Sequence, residues 1–471
     1  MLTSSTSPIA SRLNELNIPF VDSMQTNYNH DRAVWNARID CRPAFIAWPK
    51  TASQISELVR LAQSANLPLT VRGAGHDVLG SSVCDNALVI DISCMKSITI
   101  DVNSNTAVAQ PGLTVVEFIQ AISAQNRIVT FGSHKDVGLA GYTLSGGVGL
   151  LMSRYGLLSD NLLSAEVVLA DGRIVQASTA EHPDLLWAIR GGGGNFGVVT
   201  SLTYRIYPIE PTIAGALVYP IVQAEEGLRF YREFTRDLPD SLSVFAVMAT
   251  APSGVAVFTF LSCYTGPLAD GERLLAPLRS FGTPIMETLA PMPPAGMLEF
   301  LAGADPSGNR YAYDTRILPS ITEDVISQLV DYGTNRTSAT SVVVVYDFHG
   351  RVRRDTLQDS AFPTRDMPYA LGMYASWPAR DVDAPHLKWL RSFSQAVDPF
   401  TAGTGPIGLS SASNNEAVRA AYRNQYPRLQ QIKTEYDPMN VFRHNYNILP
   451  NMKTTVSSSD TIVEGETLSS E

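Results

Sequence analysis

The sequence predicts an α+β protein of two or three domains, and three observations predict it. At 471 residues the chain is longer than one hydrophobic core organises. Its first third alternates short apolar strands with an amphipathic helix. Its middle, residues 210–410, sets β-branched runs between helical stretches, the pattern of an antiparallel sheet with helices laid on it.

Residues 1–40 read as helix and loop. Phe45–Trp48 reads as a strand, and Thr51 then caps a helix whose apolar face is Ile55, Leu58, Val59, Leu61 and Ala62. A strand over Leu67–Val71 completes a strand–helix–strand unit, which runs directly into Val71-Arg-Gly-Ala-Gly-His-Asp-Val-Leu-Gly80. Gly73 and Gly75 let the backbone turn with positive φ and approach a ligand closely. Successive N–H groups of such a turn cradle an anionic phosphate, and His76 is presented at the tip. Ala87–Ile92 is a further strand, and the Asn103-Ser-Asn105 turn joins a hairpin of Ile98–Val102 and Thr106–Gln110. Thr114 caps a helix that reaches Ile122.

Two more glycine clusters follow, Gly132–Gly149 and Arg190–Val199. Neither ends in the Gly-Lys-Ser/Thr of a Walker loop, and neither has the βαβ setting of a dinucleotide fingerprint. One glycine-rich stretch alone is usually a turn, but three within about 130 residues suggest one extended ligand touched by backbone at several places. Beyond them, strands are expected at Leu242–Met248, Val255–Leu261, Ser341–Gly350 and Tyr369–Trp377, and helices at 223–236, 267–280 and 321–332. The end of the chain after Met452, rich in Ser, Thr and Glu, reads as disordered.

Composition narrows the function. With 45% hydrophobic and 17% charged residues the chain is a globular one, and its net charge of −10 argues against nucleic acid or an anionic membrane as partner. Cys41, Cys84, Cys94 and Cys263 lie too far apart for a zinc motif or a disulfide framework, and the histidines show no metal-ligand spacing. The first residues carry neither a basic nor an apolar signal region and no apolar run spans a membrane, so an intracellular, cytoplasmic protein is expected.

The ordered set Arg72-Gly-Ala-Gly-His76, Gly138-x-x-Gly141, Ser145-Gly-Gly-Val-Gly149, Asp160-Asn161, Asp184–Gly191 and Asn195-Phe-Gly-Val-Val-Thr200, closed by Tyr436–Ile448, resembles the FAD-linked oxidases of the vanillyl-alcohol-oxidase/berberine-bridge-enzyme family. The matches cover 43–208 and 415–450. The position of His134 and the ending Arg443-His-Asn-Tyr-Asn447 are most similar to the 6-hydroxy-nicotine oxidase branch. The resemblance implies a PCMH-type FAD-binding domain over 1–209, completed by a berberine-bridge-like segment over 411–451. Residues 210–410 would then form a substrate domain whose sheet roofs the flavin, with a disordered tail over 452–471. It further implies that FAD is held by Arg72, Gly73, Ala74, Gly75, His76, Asp77, Gly80 and Ser81 of the first cluster. From the second come Gly132, Ser133, His134, Val137, Gly138, Gly141, Tyr142, Gly146, Gly147 and Gly149. Gly197, Val198, Val199, Tyr446 and Asn447 complete the set.

The same resemblance implies a covalent bond from the His76 imidazole to the flavin 8α-methyl carbon, which retains the cofactor and makes it a better oxidant. Many relatives carry a second flavin-linking cysteine where this chain has His134, so a single link is expected. His134 either donates a hydrogen bond to the flavin or serves as a spacer. Several relatives also carry a Tyr-x-Asn-Tyr-like motif whose first tyrosine is the base. Here that region reads Gly408-Leu-Ser-Ser-Ala-Ser-Asn-Asn415, which weakens a sugar- or phenol-oxidising mechanism.

Asp347, His349, Tyr346, Tyr446 and Tyr142 are the candidates for substrate chemistry. Alternation puts Val343, Val345, Asp347 and His349 on one strand face and Tyr346 on the other. Asp347 is then either a solvated strand end or an acid aimed into the cleft. Tyr446 faces the flavin in the family, or is a packed aromatic with a satisfied hydroxyl. The function expected is an FAD-dependent oxidase taking hydride from a C–H beside N or O of a small secondary-metabolite or alkaloid-like molecule. O₂ would be the acceptor and H₂O₂ the product, in a monomer or homodimer without a metal. The alternative is an oxidative or redox-neutral cyclase of natural-product biosynthesis.

Overall fold

The N-terminal strand–helix–strand unit forms as the sequence expects, with one strand inserted into it. The computed structural model describes residues 7–134, 136–293, 296–297, 307–354, 359–363, 365–405, 408, 410–411 and 414–451, so the expected disorder over 452–471 lies outside the described residues. Strands Phe45–Ala47 and Leu69–Arg72 both run parallel to Leu88–Asp91, which sits between them, and Phe20–Val21 adds an antiparallel edge. The inner strands are buried along their whole length, as in parallel sheets covered on both faces. The connecting helix Ala52–Ser64 starts at Thr51, whose hydroxyl accepts the Gln54 N–H. The His76 loop leaves the carboxyl end of Leu69–Arg72, the end at which parallel sheets bind ligands.

A second, antiparallel sheet runs in the order Ile98–Asp101, Thr106–Ala109, Val198–Arg205, Leu162–Val168, Ile174–Ser178. Its hairpin turns at Asn105 with φ +52°. Helix Val115–Ser123 is fixed by a reciprocal cap between Thr114 and Glu117.

The third sheet has eight strands. Its main order is Met286–Glu287, Thr212–Pro220, Ala256–Thr265, Leu242–Thr250, Val342–Asp347, Tyr369–Pro378, Asn309–Leu318, and Ala290–Pro291 also pairs with Thr212–Pro220. Its pairings are antiparallel, so the α+β class holds. Thr212–Pro220 and Asn309–Leu318 escape the sequence reading. The first is buried almost throughout and shows no alternation, and the second carries Arg310, Asp314 and Arg316 among its apolar residues.

Helices Ala224–Phe234, Leu268–Ser280, Glu323–Thr334 and Asp383–Val397 cover one face of this sheet and share a core with Val343, Val345, Leu371 and Met373. The other face, with Phe245, Val344 and Tyr346, packs on the core of the first two sheets. The C-terminal helix Tyr426–Tyr436 returns to that same core. Its Lys433 is fully buried, and Nζ donates to the Asn195 and Phe442 carbonyls and to Asp437. Burial lowers the Lys433 pKa, while Asp437 opposes the shift. None of the helices among the described residues is long and apolar enough to cross a membrane.

Candidate functional site

The first glycine loop is anchored at its root by a buried ion pair, with Arg72 Nε 2.6 Å from Asp91 Oδ2. Arg72 Nη1, also buried, has no hydrogen-bond partner among the described residues. Asp77 ties the loop's far end, since its Oδ2 accepts from the Ser81 N–H at 2.8 Å and from the Ser81 hydroxyl. Gly75 and Gly80 hold the turns with φ +67° and +70°.

The second cluster lies directly on the first. A Cβ on Gly138 would stand 3.0 Å from the Ala74 nitrogen, so glycine permits this approach. The backbone on either side is pinned to the preceding helix start, with Val115 N–H donating to Val137 O and Leu139 N–H to Leu113 O. Ser133 and His134 are half-buried in the same loop, and Gly132 lies against the Tyr142 ring. Gly146 has φ +112°, and a Cβ there would meet the Phe362 ring at 2.5 Å. Gly147 and Gly149 are equally close-packed, against Leu158 and the Phe131 carbonyl. Gly73 and Gly141 differ, because among the described residues no atom beyond their own chain neighbours and helix backbone lies within 4 Å of where their Cβ would be.

Asn195 joins the third cluster to the closing motif. Its Nδ2 donates to the Gly192 and Tyr446 carbonyls and its Oδ1 accepts the Ile448 N–H. Gly197 packs against Val167 and the Val168 carbonyl, and Val198 and Val199 begin a strand as buried residues. Asn447 Oδ1 is buried without a hydrogen-bond partner among the described residues. Tyr446 completes the ring of contacts: its hydroxyl donates to the Ser410 carbonyl at 2.6 Å and points to Asp77 Oδ1 at 3.4 Å. Burial and the Asp77 charge push the phenol well above its ordinary pKa of 10, so Tyr446 is a neutral hydrogen-bonding group at neutral pH. Tyr142 donates to the Val148 carbonyl at 2.7 Å and is raised in the same way, by burial and by the nearby Tyr346.

The eight-stranded sheet faces these loops with aromatic side chains. The Tyr346 and Tyr374 hydroxyls are 2.9 Å apart. Tyr374 reaches its partner by lying over Gly372, where a Cβ would come 2.4 Å from the Tyr374 hydroxyl. Tyr313 meets the Tyr374 ring edge-on with centroids 4.6 Å apart, and Phe245 meets Tyr346 at 4.9 Å.

Asp347 and His349 are a correction to the sequence reading. The alternation holds within the strand, which ends at Asp347, but the face Asp347 shares with Val343 and Val345 is the one covered by helices, not the one over the glycine loops, and His349 follows beyond the strand end. Asp347 is buried against His349, Oδ2 to Nδ1 2.6 Å, and His349 Nε2 lies 3.2 Å from the Pro239 carbonyl. Burial raises the Asp347 pKa against the pull of His349. For His349 burial acts downward, but the Asp347 carboxylate outweighs it and raises the imidazole. This pair fastens a strand end to a turn. Tyr346, on the opposite strand face, packs on the same core as Tyr142.

The sequence reading also passed over Trp35, Phe362 and Tyr374. Trp35 stacks on His76 with centroids 4.9 Å apart. No periodicity marks a loop tryptophan, whereas Tyr311-Ala-Tyr313 and Tyr374 follow the period of two that identifies one strand face.

Residues 43–178 match the FAD binding domain family, and residues 380–449 match the family described as berberine and berberine like. An FAD-linked oxidoreductase of Dictyostelium discoideum is 28% identical over 88% of this chain and 91% of its own length. The (R)-6-hydroxynicotine oxidase of Paenarthrobacter nicotinovorans is 29% identical over 88% and 93%. The crystal structure of 6-hydroxy-D-nicotine oxidase from Arthrobacter nicotinovorans superposes with a TM-score of 0.85 at 25% identity, covering 92% of this chain and 98% of that one.

Proposed function

We propose that this chain, which is an FAD-dependent oxidoreductase of the family joining an FAD binding domain to a berberine-like segment, is an oxidase carrying its flavin on His76. The residues present fit the cofactor. Gly73 and Gly141 leave backbone open for a ligand, and the buried Arg72 Nη1 and Asn447 Oδ1 have no hydrogen-bond partner among the described residues. Bound FAD supplies a two-electron oxidant that accepts hydride from a C–H bond and passes the electrons to O₂. The observation that carries the reading is the convergence at Tyr446. One residue of the closing motif touches the loop of His76 by its hydroxyl and the third glycine cluster by its carbonyl.

The side chains also favour one kind of donor. Phe245, Val247, Val344, Tyr346 and Tyr374, on the sheet face toward the flavin domain, carry no carboxylate or ammonium group, so this wall suits an uncharged, flat molecule. Tyr142 and Tyr446 are held as neutral phenols and are poor bases at neutral pH. An alcohol must lose its O–H proton to a base, whereas a neutral amine drives hydride loss with its own lone pair. The donor is therefore an aromatic or heteroaromatic molecule oxidised at a C–H beside nitrogen. Tyr346, seated by Tyr374, orients it by a hydrogen bond.

Acid precipitation of the holoprotein should leave the flavin with the protein, and a peptide containing His76 should carry the mass of FAD. A peroxide screen with (R)-6-hydroxynicotine, benzylamine, benzyl alcohol and chitobiose should respond to the amines first. Free FAD in the acid supernatant contradicts the link, and peroxide from chitobiose or the alcohol alone contradicts the donor class. A donor consumed without peroxide would favour the ring-closing alternative.

A further inference from the structure

We infer that Trp35, from the loop ahead of the first parallel strand, is a positioning residue for covalent attachment at His76. The inference rests on the covalent reading above. The Trp35 indole stacks on the His76 imidazole with centroids 4.9 Å apart and planes 23° apart. It also stacks with Tyr311 of the strand Asn309–Leu318, at 3.7 Å and 17°. Three rings thus run from the flavin loop to the substrate sheet. The backbone repeats the connection: Trp35 N–H donates to the Gly75 carbonyl at 3.2 Å. Asn36 Nδ2 donates to the Val78 and Tyr311 carbonyls, and its Oδ1 accepts the Tyr311 N–H. Residues 35 and 36 therefore clasp both sides of His76 and tie its loop to the sheet.

Trp35 is held by its ring faces, for its buried indole N–H has no hydrogen-bond partner among the described residues. The stack therefore holds one face of the imidazole against the indole. Attachment replaces the imidazole N–H and one C–H of the flavin 8α-methyl by an N–C bond. The two protons and two electrons released go to O₂ as H₂O₂. The step needs a ring nitrogen lone pair aimed at one carbon, so a rotating imidazole attacks slowly and one packed against an indole attacks at a fixed angle.

The test follows attachment, not turnover. Full-length protein from riboflavin-limited cells is mixed with FAD in air, and acid-stable flavin fluorescence is followed with time, beside total FAD bound. Trp35→Leu should bind FAD but attach it about three- to tenfold more slowly, the loss expected for one aromatic pair, while Trp35→Phe should stay within about twofold. Tyr311→Leu, which removes the backing ring from the sheet side and leaves the loop untouched, should slow attachment about two- to threefold. It also decides the matter if Trp35→Leu does not fold. Attachment at the wild-type rate in Trp35→Leu, or in Tyr311→Leu if only that variant folds, overturns this inference alone. Wild-type protein that gives up all its FAD in acid overturns both this inference and the covalent reading.

Discussion

The two faces of the eight-stranded sheet solve opposite problems with the same strands. On the helix side, charged strand residues find charged neighbours: Asp347 with His349, Arg310 with Asp383, and Arg316 with both Asp314 and Asp398. On the flavin side, Tyr346 and Tyr374 share a hydrogen bond, and Tyr313 and Phe245 pack against them. The difference follows from cost. A buried charge is tolerated only where a partner can be brought to it, and helices and their connecting turns supply such partners. The wall assigned to the donor under the proposed function offers hydroxyls, which donate or accept without an ion to desolvate. Parity along a strand thus separates the paired charges that hold the fold from the uncharged groups proposed to meet a donor.

The largest expected effect breaks the helix side. Asp347→Ala leaves His349 buried beside the place of its lost partner and should cost about 3–5 kcal/mol, read by denaturant unfolding. Per flavin-loaded molecule, its rate of flavin reduction should stay within about threefold, because the lost charge lies behind the sheet. Gly372→Ala attacks the other face. The added methyl would collide with the Tyr374 hydroxyl, so about 1–3 kcal/mol of stability and the Tyr346–Tyr374 bond should go together. Loss of stability with flavin reduction unchanged would mean that the hydroxyl pair has no part in the chemistry.

A pH experiment sharpens the comparison. The folded-state pKa of His349 is raised above its ordinary 6.5, chiefly because the nearby carboxylate outweighs burial. Its stabilising contribution is therefore complete below about pH 6.5 and lost as pH rises through the raised value. The raised Asp347 carboxyl changes stability in the same direction but from its ordinary 3.8 upward, in a lower window. The melting-temperature gap between wild type and His349→Gln should be widest near pH 6 and narrow in alkali, and a gap that widens with pH contradicts the pairing. The smallest effect belongs to Tyr374→Phe. It removes one of two hydroxyls and should cost about 1 kcal/mol, with flavin reduction slowed about tenfold or less.

What the sequence made legible was local. Thr51 and the Thr114–Glu117 box announce helix starts, Asn105 announces a hairpin, and the glycine clusters announce a backbone-lined cradle. The parity of Val343, Val345 and Asp347 was legible too. Which face the helices would cover was not, because that depends on helices as far along the chain as Asp383–Val397. Trp35 was illegible for the same reason, since its partners His76 and Tyr311 come from distant segments.

The central claim is that chemistry belongs to the tyrosine face. Stopped-flow reduction of the flavin under anaerobic conditions, with whichever donor yields peroxide in the screen, tests it in Tyr346→Phe and Asp347→Asn side by side. Tyr346→Phe should slow reduction about a hundredfold, as for a group that orients the reacting centre, while Asp347→Asn should stay within about threefold. A hundredfold loss in Asp347→Asn with Tyr346→Phe at the wild-type rate would contradict it.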